Sequence, residues 1–363
     1  MAAGANAPVK IVADPMRASS AEPNPWLHRF AWFTAAATLL LICSGGMVTS
    51  KGAGLAVPDW PTTFGYNMFL FPLSKWVGGI LFEHTHRLLA STIGFLTIIL
   101  AVWLWKSGAP RWLRNLGWVS SGAVVLQGIL GGLRVTMLKD EIGIFHACLA
   151  QAFLGILVVI AFATSALWRS IAEDEKNISS RSVVAGALII TLLIYGQLIL
   201  GATMRHQHRD LAITDFPSAY GQIIPDTNPA ALAGINAWRE ARALSEVTAS
   251  QIWLQMSHRF LAAIIAVAIA AFWFVVRAQS KRVSALRRLS NFWLTLVLLQ
   301  IVLGAWTIWS NKAADIATAH VALGAILFSI GVALCALSLR LRRSRSNVRI
   351  FERPRNLKEA NVT

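Results

Sequence analysis

Long apolar runs alternate with short polar or basic breaks along most of this chain. Eight such runs lie near residues 28–49, 76–105, 113–136, 142–168, 182–204, 251–277, 288–311 and 315–340. Each is about 20 residues or longer, the length a helix needs to cross roughly 30 Å of hydrocarbon. The pattern predicts an all-α membrane protein with eight transmembrane helices. Residues 171–181 are expected to be a polar linker, and residues 205–250 a long loop. Residues 1–25 hold no apolar stretch of signal-peptide length and are expected to form a flexible polar tail.

Composition supports the membrane reading. The chain is 56% hydrophobic and only 14% charged, where a soluble domain carries about a quarter charged residues. Charge also orients the helices. With the N-terminus inside, inner segments hold 22 of the 33 Lys and Arg and outer segments hold 9, while Arg87 and Arg259 lie within helices. The positive-inside rule then puts both termini in the cytoplasm. The net charge of +16 is explained by a basic inner face and a basic tail over residues 341–363, which suit anionic lipid; no nucleic-acid partner is implied. The N-terminal segment lacks clear transit-peptide character, which favours a bacterial plasma membrane. Cys43, Cys148 and Cys335 fall inside predicted helices and are read as small packed hydrophobes. Trp26, Trp76 and Trp112 are placed at the membrane interfaces, as an aromatic belt.

The two halves of the chain repeat each other. Gly54-Leu55-Ala56-Val57-Pro58-Asp59-Trp60-Pro61 matches Asp210-Leu211-Ala212-Ile213-Thr214-Asp215-Phe216-Pro217. His86-Arg87-Leu88 matches His258-Arg259-Phe260, and Leu126-Gln127-Gly128-Ile129-Leu130-Gly131 matches Leu299-Gln300-Ile301-Val302-Leu303-Gly304. Such self-similarity predicts two pseudo-symmetric four-helix bundles, over residues 26–170 and 182–340. Gly128, Gly131, Gly132, Gly201 and Gly304 are expected to allow close helix approach.

Four histidines carry the chemistry. His86 and His146 are 60 residues apart, and His258 and His320 are 62 apart. Each lies near the start of an apolar run, where an ionisable side chain marks a functional site. Two histidines on facing helices of a four-helix bundle can supply both axial ligands of one haem iron, so the doubled spacing predicts two haem sites. Zinc is disfavoured, because neither pair has a nearby third or fourth ligand. His84 points roughly 200° away from His86 around the helix and is a poor co-ligand. His206 and His208, in the second long outer loop, are read as solvated.

The sharpest difference between the halves is Glu83, three residues before His86, where the second half has Gln255. Glu83 is either a structural ion-pair partner of Arg87, four residues on, or a carboxylate that moves protons beside a reacting haem. Arg87 and Arg259 are open to two readings as well, as ion-pair or interface anchors or as partners of haem propionates.

As a set, Pro58-Asp59-Trp60-Pro61, Glu83-His84-Thr85-His86-Arg87, His146, Ser257-His258-Arg259 and His320 closely resemble the haem A synthase family, over about residues 25–340. The resemblance implies oxidation of the C8 methyl of haem O to a formyl group, by successive hydroxylations, giving haem A for terminal oxidases. It implies that His86 and His146 hold the substrate haem, that Glu83 is the catalytic carboxylate, and that His258 and His320 ligate a haem b cofactor. Haem O synthase and cytochrome oxidase assembly factors are the implied protein partners. Many bacterial relatives also carry a cysteine pair in the first outer loop. Here neither Val57 nor Thr62-Thr63-Phe64-Gly65 supplies a thiol, so that loop must be ordered another way. The alternatives are a di-haem b-type electron carrier, a transporter, whose repeats also come in pairs, and a haem-delivery assembly factor.

Overall fold

The computed structural model describes residues 24–173, 179–207, 211–280 and 283–351. Most of the N-terminal tail, part of the 171–181 linker, His208, Lys281 and Arg282, and the end of the basic tail lie outside the described residues. Among the described residues, ten α-helices follow in order: α1 (Pro25–Ser50), α2 (Gly78–Lys106), α3 (Arg111–Met137), α4 (Asp140–Ala163), α5 (Ala166–Glu173), α6 (Arg181–His206), α7 (Pro229–Glu240), α8 (Ala249–Gln279), α9 (Ser284–Trp309) and α10 (Ala314–Phe351). Eight of them, all but α5 and α7, are long and apolar enough to cross a membrane. The chain is thus an all-α, multi-pass membrane protein.

Local chemistry explains where the helices begin and break. The Asn24 side chain accepts from the Trp26 and Leu27 amides, and Pro25 takes the first helical position, where its missing N–H costs nothing. Thr248 and Gln251 form a reciprocal capping box at the start of α8. The fourth apolar run was expected to continue to residue 168 but stops at Ala163. There the Thr164 and Ser165 hydroxyls fold back onto the Ala161 and Phe162 carbonyls at 2.9 and 2.6 Å. The Ser165 hydroxyl then accepts from the Trp168 amide at 3.1 Å, starting α5. At the other end of the chain, α10 runs on through the basic segment expected to be a tail. Neither glycine nor proline occurs between Gly331 and the helix end at Phe351.

Helix neighbours form two rings. In one, α1 packs on α2 and α4, and α3 packs on α2 and α4; in the other, α6 packs on α8 and α10, and α9 on α8 and α10. Contacts of α1 with α10, α4 with α10 and α4 with α6 join the rings. Half of each span is buried in α4 and α10, against 33% or less elsewhere, so these two helices form the central seam. The core includes Leu157, Ile160, Ile269 and Trp293, and the Trp293 indole N–H donates to the Leu327 carbonyl at 2.9 Å. Trp26 is exposed as a belt residue should be. Trp76 and Trp112 instead pack inward, on His84 and Trp168.

Both long connections, α1–α2 and α6–α8, lie at one end, called here the loop end. They share a local design: a two-residue bridge (Thr63 with Tyr66, Ala219 with Gln222) beside a cis X-Pro bond (Trp60-Pro61, Phe216-Pro217). The second connection also contains α7, which the expectation of a plain loop missed. Asn228 caps it, and its buried Arg239 donates to the carbonyls of Ser245, Leu211 and Ala212. A small separate core of Ile213, Val247, Ile252 and Met256 lies beneath.

Candidate functional site

Each of the four histidines lies within the first three turns of its helix, counted from the loop end: His86 in α2, His146 in α4, His258 in α8 and His320 in α10. At 1.5 Å rise per residue they therefore sit at similar depth. Each imidazole rests against a glycine of a neighbouring helix. A Cβ built on Gly45 of α1 would lie 3.0 Å from His86 Cε1, and one on Gly131 of α3 would lie 3.4 Å from His146 Cε1. In the second half the pairs are Gly201 of α6 with His258 at 3.4 Å and Gly304 of α9 with His320 at 3.1 Å. The four notches occupy equivalent positions in the two halves. Gly131, Gly201 and Gly304 were expected to admit a neighbouring helix; they admit imidazoles instead. Gly132 admits the Trp60 indole, and Gly128 faces open space.

Glutamines fix the histidine backbones. Gln127 and Gln300, at matching places in the repeat, donate to the carbonyls of His146 and His320 at 3.1 and 3.0 Å. Gln197 does the same for His258 at 2.9 Å, where the first half has Leu41. The rings themselves are scarcely bonded. Nδ1 of all four is enclosed with no partner among the described residues, and the one ring contact is Gln300 Nε2 to His320 Nε2 at a long 3.4 Å. Histidines kept for structure alone would be hydrogen-bonded. His86 lies within coulombic reach of His146, and His258 of His320. Two imidazoles per half, from two helices and with Nδ1 left unpartnered among the described residues, fit a bis-histidine haem. No group of three or more His, Cys, Asp or Glu able to hold a metal ion occurs among the described residues.

A clamp joins each site to its loop. In the first half, the Val57 amide donates to Glu83 Oε2 at 2.9 Å, and Arg87 Nη2 bridges Glu83 Oε1 and the Val57 carbonyl at 2.7 and 2.8 Å. Arg87 Nη1 donates to the carbonyls of Asp59 and Thr62 at 2.7 and 3.1 Å. In the second half, Gln255 alone holds both sides of the matching residue: its Oε1 accepts from the Ile213 amide at 2.8 Å and its Nε2 donates to the Ile213 carbonyl at 3.0 Å. Arg259 donates to the carbonyls of Asp215 and Ser218 at 2.6 and 2.8 Å. Both arginines are thus engaged by loop carbonyls.

Each loop is ordered by a carboxylate. Asp59 accepts from the Thr62 hydroxyl and the Phe64 and Gly65 amides at 2.5, 2.7 and 2.9 Å. Asp215 does the same with Ser218, Tyr220 and Gly221 at 2.7, 2.8 and 3.0 Å. Partial burial raises both carboxyls, but these hydrogen bonds outweigh it and hold each below the ordinary aspartate range. Phe64 and Tyr220 adopt φ near +50°, with Gly65 and Gly221 following, which lets the amides converge on the carboxylate. His84 points away from His86 as expected. It is fully buried beneath this loop, 3.2 Å from the Thr63 hydroxyl and edge-on to Trp76.

Two residues at the loop end were not singled out correctly from sequence. His206 was expected to be solvated but is only 8% exposed, packed over Gly143 of α4, in the other half of the molecule. Its neighbour Arg205 donates to the Gly46 carbonyl and the Ser50 hydroxyl of α1. Arg134 of α3 lies between Gly54 of the first loop and Gly143. Its lone basic position late in α3 gave no sign of that setting. The free cysteines Cys43, Cys148 and Cys335 lie half-buried in α1, α4 and α10.

Together these features define a class: multi-pass helical membrane proteins of two matched halves, each presenting a histidine pair suited to haem. The chain belongs to the cytochrome oxidase assembly protein family COX15-CtaA, whose model matches residues 28–332. It is 27% identical to the haem A synthase of Lysinibacillus sphaericus, across 87% of this chain and 96% of that protein. The haem A synthases of Geobacillus kaustophilus and Bacillus licheniformis are 27% and 26% identical, across 86% and 90% of this chain and 92% and 99% of theirs.

Proposed function

We propose that this protein converts haem O to haem A, oxidising the C8 methyl through an alcohol and its hydrated aldehyde to the formyl group. The observation that carries the reading is the doubled histidine pair in glycine notches, in a chain whose relatives bear the name haem A synthase. His86 and His146 would hold the substrate haem O; His258 and His320 would hold haem b. When bound, haem b supplies one-electron redox chemistry. The chain itself does the rest. Glycine notches and glutamines orient the imidazoles, and the loops cover the sites and exclude water. Glu83, one turn from His86 toward the loop, accepts or delivers protons through its carboxylate oxygens while Arg87 holds it in place. The N-terminal bundle, residues 26–170, is then the substrate half and the C-terminal bundle, residues 182–340, the electron-supplying half. Both termini face the cytoplasm of a bacterial plasma membrane, following the charge asymmetry. Haem O synthase would supply the substrate, and cytochrome oxidase assembly factors would receive the product.

One observation favours a di-haem electron carrier: both Glu83 oxygens are bonded to the loop clamp, as the Gln255 amide is. Expression with a haem O supply, followed by haem extraction and mass analysis, separates the two. Formation of haem A is expected; unchanged haem O beside a stable, haem-loaded protein would establish the carrier.

A further inference from the structure

We propose that Arg134 is the carboxylate-binding residue of the first half, pairing with a propionate of the bound haem. This rests on the reading that the first half holds haem O. Arg87 and Arg259 do not suit the role, because their Nη groups already serve loop carbonyls. Arg134 is different: its side chain makes no hydrogen bond or ion pair among the described residues, although it is half-buried in the last turn of α3. A guanidinium so placed is costly unless an anion meets it.

Its position matches the histidine site. Arg134 is three residues beyond Gly131, the notch that receives His146, so the two share a face of α3. On the facing helix α4, Gly143 lies against Arg134 Nε and is three residues before His146. Arg134 therefore stands three residues, about 4.5 Å of helix rise, beyond the level of the His146 ring toward the loop end. The loop reaches it as well, since a Cβ on Gly54 would lie 2.9 Å from both Arg134 Nη atoms. Glu83 and Asp140 are within coulombic reach but outside ion-pair distance. The second half offers no such cation from α9. Thr307 occupies the matching place, and its hydroxyl returns to the Leu303 carbonyl at 2.8 Å. A planar fork suits a carboxylate, and the carboxylates of haem O are its two propionates.

The test is optical titration of the full chain in lipid nanodiscs with haem O and, separately, with its propionate dimethyl ester. Wild type should bind the diacid more tightly than the ester; equal affinities would overturn the proposal without any variant. Arg134→Gln should weaken the diacid roughly 10- to 100-fold, the range for a lost charge-assisted contact, and leave the ester unchanged. Arg134→Met, which keeps the aliphatic stem, should behave the same way if Gln disturbs the fold; retention of the second-half haem spectrum checks folding. Undiminished diacid binding by either folded variant sinks the proposal. His146→Ala tells the two levels apart. Loss of the titration in His146→Ala, with none in Arg134→Gln, removes Arg134 alone. An unaltered titration in His146→Ala removes the first-half haem reading and the proposal with it.

Discussion

The two halves grip their loops at the same residue with different chemistry. In the first, Glu83 takes the Val57 amide and Arg87 takes its carbonyl; in the second, the Gln255 amide takes both sides of Ile213. A carboxylate cannot donate, so a glutamate at this place needs an arginine beside it, and that pairing leaves an acid near His86. A glutamine completes the same clamp with no ionisable group. The clamp thus explains how the halves differ by one charge while keeping one fold. It also shows that an unequal pair of residues in a repeat need not mean an unequal structure.

The comparison is broken most severely at the four histidines. His86→Ala or His146→Ala should abolish haem A and accumulate haem O while the second-half haem spectrum persists. His258→Ala or His320→Ala should strip haem b and stop turnover as well. Reduced-minus-oxidised spectra and extracted haem composition decide it; normal haem A from either first-half variant would refute the assignment.

Glu83→Gln should come next. It gives the first clamp the amide of the second, so the loop stays attached, and a lost proton-transfer group costs about 10²–10⁴-fold in rate. The reciprocal Gln255→Glu deprives the Ile213 carbonyl of its donor and should cost about 1–3 kcal/mol of stability, read by thermal melting. It should confer no second synthase site. Near-normal haem A from Glu83→Gln would leave Glu83 as clamp alone.

The glycine notches sharpen the comparison within each half. Gly45→Ala and Gly304→Ala place a methyl 3.0 and 3.1 Å from an imidazole, so both rings must tilt and the haem bands should broaden or shift. Gly131→Ala and Gly201→Ala, at 3.4 Å, should be nearly silent. Equal spectral effects at all four would mean the rings are not seated as described.

The smallest effect is expected from thiols. Replacing Cys43, Cys148 and Cys335 together by Ala should keep haem A synthesis and its insensitivity to reductant, because Asp59 and Asp215 hold the loops instead. Each change should cost about 1 kcal/mol at most, as a small packing loss. A specific loss of turnover in a stable, haem-loaded triple variant would reveal a thiol role.

Apolar runs of membrane-crossing length, the repeat and the paired histidines were legible without any structure. Each is a property of residues close in sequence, or of spacing, and burial in hydrocarbon penalises every alternative. The same reasoning misjudged α5, α7 and the end of α10, where a folded-back hydroxyl, a single cap or the lack of a breaker decides the boundary.

What only the tertiary structure decided is which side chains meet. Gly45 and Gly46 are neighbours in α1, yet one faces His86 and the other faces Thr318, two residues from His320 in the other half. His206 closes against α4 rather than water, and Arg87 bonds loop carbonyls. Arg134 lies against Gly54 of the first loop and Gly143 of α4. These outcomes depend on helix rotation, set by packing between segments tens to hundreds of residues apart. A periodic apolar run records that a helix is buried in lipid and protein; it does not record which neighbour each face will touch.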